Sequence, residues 1–413
     1  QNSLGSNTTA SNNTAIGYVA LVANTTGASN VAVGASSLDA NTEGSNNTGV
    51  GFNALTSNTT AAGNTAVGYN SLAANTTGAS NTAVGSGALD ASTTGASNVA
   101  VGLNSMTSNT NGYENTAVGK DSLASCTEGF ENTAIGHNCG AAITTGDNNT
   151  FVGNAAGQAN TTAGANTAVG NAALASNTTG ATNNAFGANA LDACTTGARN
   201  NGFGYRALAS ATTGYYNTAI GHQAGDDITD GFKNICIGHD ADISAGNNQH
   251  TIVIGESITA ASNDFSFGKA SNVVTNDFDA DANWSRSSDE RLKKNITNQT
   301  LGLDFINDLR TVKYNWKPSN ELDSTDSQLA HLYKENADDN EMNTSAVMHN
   351  FIAQEVKAAL DTAGVSEFGG WKEDQYGVQQ VSREMFVIPL VKAVQELSTK
   401  LDAALARITT LEG

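Results

Sequence analysis

The 413-residue chain carries 39 Asp and Glu against 19 Lys and Arg, a formal charge of −20. Only Lys120, Arg199, Arg206 and Lys233 among its basic residues precede residue 260, so no basic face exists to displace phosphate counterions or to dock on anionic lipid, and a nucleic-acid partner is excluded. No apolar run of about 18 residues is present, which excludes insertion of a helix into a membrane.

The chain opens at Gln1 with neither an initiator Met nor a signal-peptide pattern, which points to a fragment or a processed product. A repeat begins almost at once. Gly recurs every 17 residues, from Gly17, Gly34 and Gly51 to Gly238 and Gly255. Val, Ile or Phe precedes each of these glycines (Ile16, Val33, Val50, and on to Phe186, Phe203 and Ile254), and Asn lies four positions before it from Asn13 to Asn234. Leu or Met lies four positions after most of them, as at Leu21, Leu38, Met106 and Leu208, and a second Gly often falls ten positions on, as at Gly27 and Gly44. The unit reads N-T-A-V-G-x-x-A-L-x-x-N-T-T-G-x-x.

A fixed period without insertions means that each unit stacks on the next. Two glycines and several Asn and Thr per unit oppose a helix, whereas Asn-Thr-Thr-Gly is turn chemistry. The expectation is a β-solenoid of 17-residue coils over residues 1–258, each coil with two short strands and two turns. Asn in register should form a hydrogen-bonded ladder. One Val and one Leu per coil make a thin core, so association of three chains, with their apolar columns on one axis, is expected.

The N-T-A-V-G unit resembles the head repeats of trimeric autotransporter adhesins and repeats of phage tail fibres. That resemblance implies a trimeric β-roll, with a triple β-spiral shaft as the alternative. The four cysteines (Cys126, Cys139, Cys194, Cys236) have no metal or disulfide spacing and read as small buried residues. Asp39, Asp90 and Asp192 share one column but are far apart, so no carboxylate pair suited to glycoside cleavage is seen. His222 and His239 come directly after repeat glycines on adjacent coils. A metal or pH site is one reading. With no third ligand in that column, two stacking histidines are preferred, and neither a metal nor a cofactor is assigned.

The period stops after Gly255. Residues 259–287, with Phe265, Phe267, Phe278 and Trp284, read as a connector or fibre tip. From Ser288 the composition is that of a globular domain. Ser287-Ser288-Asp289-Glu290 alone reads as a helix capping box. Residues 351–360 read as an amphipathic helix. A heptad seam (Val387, Val394, Leu401 and Ile408 with Leu390, Leu397, Ala404 and Leu411) reads as a trimeric coiled coil over 385–413.

Four segments in order, S-D-E-R-L-K at 288–293, V-K-Y-N-W-K-P at 312–318, F-I-A-Q-E-V at 351–356 and I-P-L-V-K-A-V-Q-E-L at 388–397, resemble the C-terminal intramolecular chaperone of endosialidases and phage tail spikes. The resemblance spans 288–413 and implies an α+β domain that trimerises, guides folding of the preceding fibre and then cuts itself off. It implies a scissile bond between Ser287 and Ser288, Ser288 as nucleophile and Lys293 as base. Asp289 and Arg291 stand as supporting residues. Such a single-turnover serine endopeptidase would have no external substrate. A Lys serves as base only when burial or a nearby cation keeps it partly neutral; Arg291 is read either as that cation or as the partner of a carboxylate.

The whole then reads as a homotrimeric phage tail fibre or receptor-binding shaft located in the virion tail. Its partners would be other tail proteins and a host-surface receptor or glycan. A bacterial trimeric adhesin at the cell surface and a polysaccharide-depolymerising spike are the rival readings.

Overall fold

The computed structural model describes residues 2–270, 272–277, 281–286, 290–335, 344–345 and 347–412. They fall into two compact units, Gln1–Ser288 and Asp289–Gly413.

The first unit is a β-solenoid. Each coil contributes one three-residue strand, from β1 (Thr14–Ile16) through β2 (Val31–Val33) and so on to β14 (Ile235–Ile237). Each strand pairs in parallel with the next at an offset of 17, as in Val31↔Thr48 and Val33↔Val50. After β15 (Ala241–Ile243), β16 (Ile252–Glu256) continues the stack, and β17 (Ile258–Ala260) pairs with β15. Strand β18 (Asp264–Lys269) adds in parallel to β16. Strands β19 (Asn272–Asp277) and β20 (Asp281–Arg286) then turn antiparallel and close the 18-stranded sheet.

The coil running from Asn30 to Asn46 shows why this sequence makes this shape. Successive strand residues face opposite sides, so Ala32 points inward, fully buried, while Val31 and Val33 point out. Gly34 has φ +138°, and a Cβ there would lie 2.3 Å from the carbonyl oxygen of Gly51, so only glycine lets the coils approach. Leu38 then adopts φ +53° and is fully buried. A left-handed Leu costs about 1–2 kcal/mol, and complete burial of its side chain returns about 1.5–3 kcal/mol, so burial decides the conformation.

Asn30 ties the stack in three directions. Its N–H donates to Asn13 Oδ1 at 2.9 Å, its Nδ2 donates to the Gly44 carbonyl at 2.8 Å, and its Oδ1 accepts the Asn47 N–H at 2.9 Å. A second ladder runs through Asn24, Asn41, Asn58 and Asn75, with Nδ2-to-Oδ1 distances of 2.8–2.9 Å. These side chains are buried, and apart from Asn75 Oδ1 their amides are partnered, which makes burying an amide tolerable.

Two expectations need correcting. The coils up to β13 have one strand rather than two, because left-handed residues such as Ser36 and Leu38 break extended geometry on the second side; a second strand forms only near the end, as β15 and β17. The Val/Ile/Phe column before glycine does not join Leu in the core. The pleat aims it outward, leaving Ile16 61% and Ile135 41% exposed.

One stretch departs from the pattern and compensates for it. Phe151 occupies the inward strand position usually held by Ala, and the Leu positions around it are Gly140 and Gly157. A Cβ on Gly157 would sit 2.4 Å from the Phe151 ring. Ile143 fills the remaining space in the Asn ladder, so one large ring and one Ile replace two leucines.

The second unit packs α1 (Leu303–Asn307), α2 (Ala353–Thr362) and the start of α3 (Val387–Glu412) around Leu301, Phe305, Val356, Leu360 and Phe386. Strands β21 (Val312–Tyr314) and β22 (Met348–Asn350) pair antiparallel, as do β23 (Trp371–Glu373) and β24 (Gln379–Val381). The fold class is thus a β-solenoid of 17-residue coils followed by a small α+β region and a long C-terminal helix. Among the described residues no helix is long and apolar enough to cross a membrane.

Candidate self-cleavage site and clusters on the shaft

Ser287, Ser288 and Asp289 lie outside the described residues, as does Phe278 of the connector. Residues Glu290–Leu292 form one 3-10 turn, closed by the Lys293 N–H donating to the Glu290 carbonyl at 2.9 Å. The capping-box reading anticipates an α-helix here. The chain instead leaves the turn through Asn295 at φ +55° and stays irregular until α1. Arg291 and Lys293 are both exposed. The boundary between the two compact units falls at this point of the chain, between Ser288 and Asp289.

The motif segments of the second unit come together in one fold. V-K-Y at 312–314 is strand β21, and it pairs with the strand that leads into F-I-A-Q-E-V, the entry of α2. Arg310 grips Glu355 of α2 through its guanidinium, with Nε 3.2 Å from both carboxylate oxygens. I-P-L-V-K-A-V-Q-E-L opens α3, where Glu396 accepts the Leu303 N–H at 2.8 Å and caps the short α1. That bond holds the Glu396 carboxyl below its ordinary range. A Cβ at Gly302 would lie 2.3 Å from Glu396 Oε2, so a larger residue there would push the carboxylate off this position.

Residues 288–365 match the sequence model of the family described as the chaperone of endosialidase. The match begins at Ser288 and takes in the first three motif segments; I-P-L-V-K-A-V-Q-E-L lies beyond it. That family is one of self-cleaving chaperone domains, and residues 288–365 are similar to it. No curated protein and no solved structure matches the chain.

The far part of α3 carries an exposed apolar stripe. Val394 (65%), Leu397 (55%), Leu401 (58%) and Leu411 (78%) are largely exposed, whereas Ala393 on another face is buried against the unit's core.

On the shaft, Asp39, Asp90 and Asp192 fall in one column, three and then six coils apart by the 17-residue period. Asp39 accepts the Thr56 hydroxyl at 2.7 Å, and burial raises the carboxyls of Asp90 and Asp192. The four cysteines are free and buried, and desolvation pushes Cys126 up to about 11 and Cys139 and Cys194 to about 12. Such thiols are poor nucleophiles.

Two clusters escaped the sequence reading. His222 and His239 stack as expected, with ring centroids 5.1 Å apart, but a third donor stands beside them: Asp240 Oδ2 is 3.2 Å from His239 Nδ1. The expectation that no third ligand falls in register concerns the column, which Asp240 does not belong to; the third group is the next residue in the chain. Asp226, Asp227 and Asp242 form an acidic trio. Burial raises the Asp242 carboxyl to about 7, while its oxygens accept the Asp227 and Ile243 N–H groups at 2.9 and 2.7 Å.

Proposed function

We propose that the chain is a homotrimeric phage tail fibre or receptor-binding shaft whose C-terminal domain sets the alignment of three chains and then cuts itself away at the Ser287–Ser288 bond. The observation that carries this reading is the family match, which starts at Ser288, where the repeat-bearing unit ends.

Ser288 is the nucleophile and Lys293 the base. The attack of the Ser288 hydroxyl on the Ser287 carbonyl carbon forms an ester and releases the Ser288 amine. Water then hydrolyses the ester, freeing a Ser287 carboxylate. Lys293 takes the hydroxyl proton, which requires its amine to be neutral at that moment. The five-residue spacing suits an attack outside regular helix, and the 3-10 turn over 290–292 is compatible with it.

Two features support association of three copies. One is the exposed heptad seam of α3, with Val and Ile alternating with Leu at its two positions. The other is the outward Val/Ile/Phe column of the shaft, which runs from Ile16 to Phe267 and includes the stacked rings of Phe186 and Phe203, 5.0 Å apart. Exposed apolar stripes of that length are expected to be covered.

The test is a denaturing gel of the full-length chain beside Ser288→Ala and Lys293→Ala. Wild type is expected to give two bands and each variant one. A single band from wild type, or two bands from Ser288→Ala, refutes the self-cleavage.

A further inference from the structure

His222 and His239 hold the position after the repeat glycines Gly221 and Gly238. Backbone bonds lock their coils in register. Gly238 N–H donates to the Ile220 carbonyl at 2.8 Å, and Asp240 N–H donates to the His222 carbonyl at 3.0 Å. The imidazole planes are 12° apart, so the two rings lie nearly parallel. One ligand atom from each of His222, His239 and Asp240 lies within 4.8 Å of the others.

From this geometry we infer that His222, His239 and Asp240 bind a divalent transition ion of the zinc class, one per chain. Two imidazole nitrogens and one carboxylate oxygen are the donors such ions prefer, whereas magnesium and calcium favour all-oxygen shells. A tetrahedral ion with bonds of about 2.0–2.1 Å needs its ligand atoms roughly 3.3 Å apart. The His239–Asp240 pair already has that separation, at 3.2 Å. His222 closes the rest by rotating an exposed side chain. Three protein ligands leave a fourth position for water or an anionic group. The neighbours in the column do not compete: Tyr205 lies over His222 at 5.1 Å, and Glu256 is paired with Lys269 at 3.2 Å. A bound ion would staple two coils near the end of the solenoid and stabilise the folded shaft. The site is independent of self-cleavage.

The chain contains its own control. His137 stands at the same position of the repeat, but the next coil offers Asn154, whose Nδ2 is 3.2 Å from His137 Nδ1, in place of a second His.

The test is calorimetric titration of untagged full-length protein with zinc chloride, paired with cobalt(II) absorption. Wild type is expected to bind one ion per chain and to give the visible bands of four-coordinate cobalt. His222→Ala and His239→Ala should each weaken zinc binding at least about tenfold and abolish those bands. Asp240→Asn should weaken it less, and His137→Ala should leave it unchanged. The inference is overturned if wild type binds no zinc, if the His222→Ala/His239→Ala double variant binds as wild type does, or if His137→Ala loses as much as His222→Ala. Circular dichroism of each variant matching wild type assigns the loss to the ligands rather than to misfolding.

Discussion

Phe151 gives the most discriminating test of how the solenoid core is built. Its ring is fully buried, and the two positions that would hold leucines in a standard coil are Gly140 and Gly157. Phe→Ala in a core costs about 3–5 kcal/mol. Here the cost should fall in the upper half of that range, because two glycines have no side chains to collapse into the void. Gly157→Leu alone is also destabilising, by at least about 1–3 kcal/mol, since its Cβ would lie 2.4 Å from the ring. Together, Phe151→Ala and Gly157→Leu recreate the Ala-and-Leu coil found at Ala32 and Leu38. Gly157 already has φ +58°, close to the +53° of Leu38. The double variant is therefore expected within about 1.5 kcal/mol of wild type, with a coupling of about 3 kcal/mol or more, at the top of the usual range. Hydrogen exchange of the coil amides around residues 150–160 reads this locally, and guanidinium unfolding tracked by circular dichroism reads it globally. If the double variant is no better protected than the worse single one, the exchange of ring for leucine is not what holds this part of the shaft together.

Further expectations can be checked on the same protein. Asn160 is buried with both amide atoms unpartnered, because Ile143 interrupts the ladder above it. Asn160→Cys, a residue the column already accepts at Cys126 and Cys194, should raise stability by about 1–3 kcal/mol, the usual cost of an unsatisfied buried group; a loss in unfolding midpoint refutes this. Asp242 has a folded pKa of about 7, raised by burial and by Asp226 and Asp227, with Cys236 also beside it. A raised carboxyl stabilises the fold while protonated, so its contribution is complete below about pH 4 and lost as pH rises to about 7. Asp242→Asn should flatten the fall in stability across that window, and an unchanged slope counts against the assignment. Leu397→Glu with Leu401→Glu should abolish trimers in sedimentation; trimers that persist would mean that the α3 seam does not join chains. A chain ending at Ser287 should give misaligned or aggregated shafts, and normal trimers from it would remove the need for a clamp.

The solenoid was legible because its signal is repeated at a fixed interval: an Asn, an apolar residue and a glycine return every 17 residues, and only stacking explains that constancy. The direction of each side chain was less legible. Val33 looks like core and Ala32 like filler, yet the pleat buries Ala32 and leaves Val33 outside. The reason is steric. With coils this narrow, the interior holds a methyl group, one leucine and two amides, and the larger strand residues go to the open side. The second strand was misread for a related reason, since no residue-type signal marks a leucine at φ +53°. Asp240 and Asp242 were missed because they join their clusters by chain adjacency and by the change of fold near β15, not by period. In the second unit the elements obey ordinary cues: the amphipathic run became α2 (Ala353–Thr362), and the heptad run became α3.

The same regularity that stabilises the shaft weakens its specificity. The outward surface repeats every 17 residues as the ladder bonds do, so if chains pack side by side, sliding one past another by a coil would set similar residues opposite each other. Within one chain this does no harm, because connectivity fixes the order of the coils. Between chains only exceptions can mark alignment, and three of them are buried: Phe151, Ile143 and the Asn160 gap face the chain's own core. The outward column reads Ile, Val or Phe at nearly every coil and discriminates poorly. If three chains associate, their alignment is best fixed by a non-repetitive element, and the second unit supplies one with its own core and an exposed helix seam. Removing that element after assembly would take away the route by which aligned chains form or re-form. The finished shaft would then persist through a high unfolding barrier rather than through a large equilibrium preference for one register.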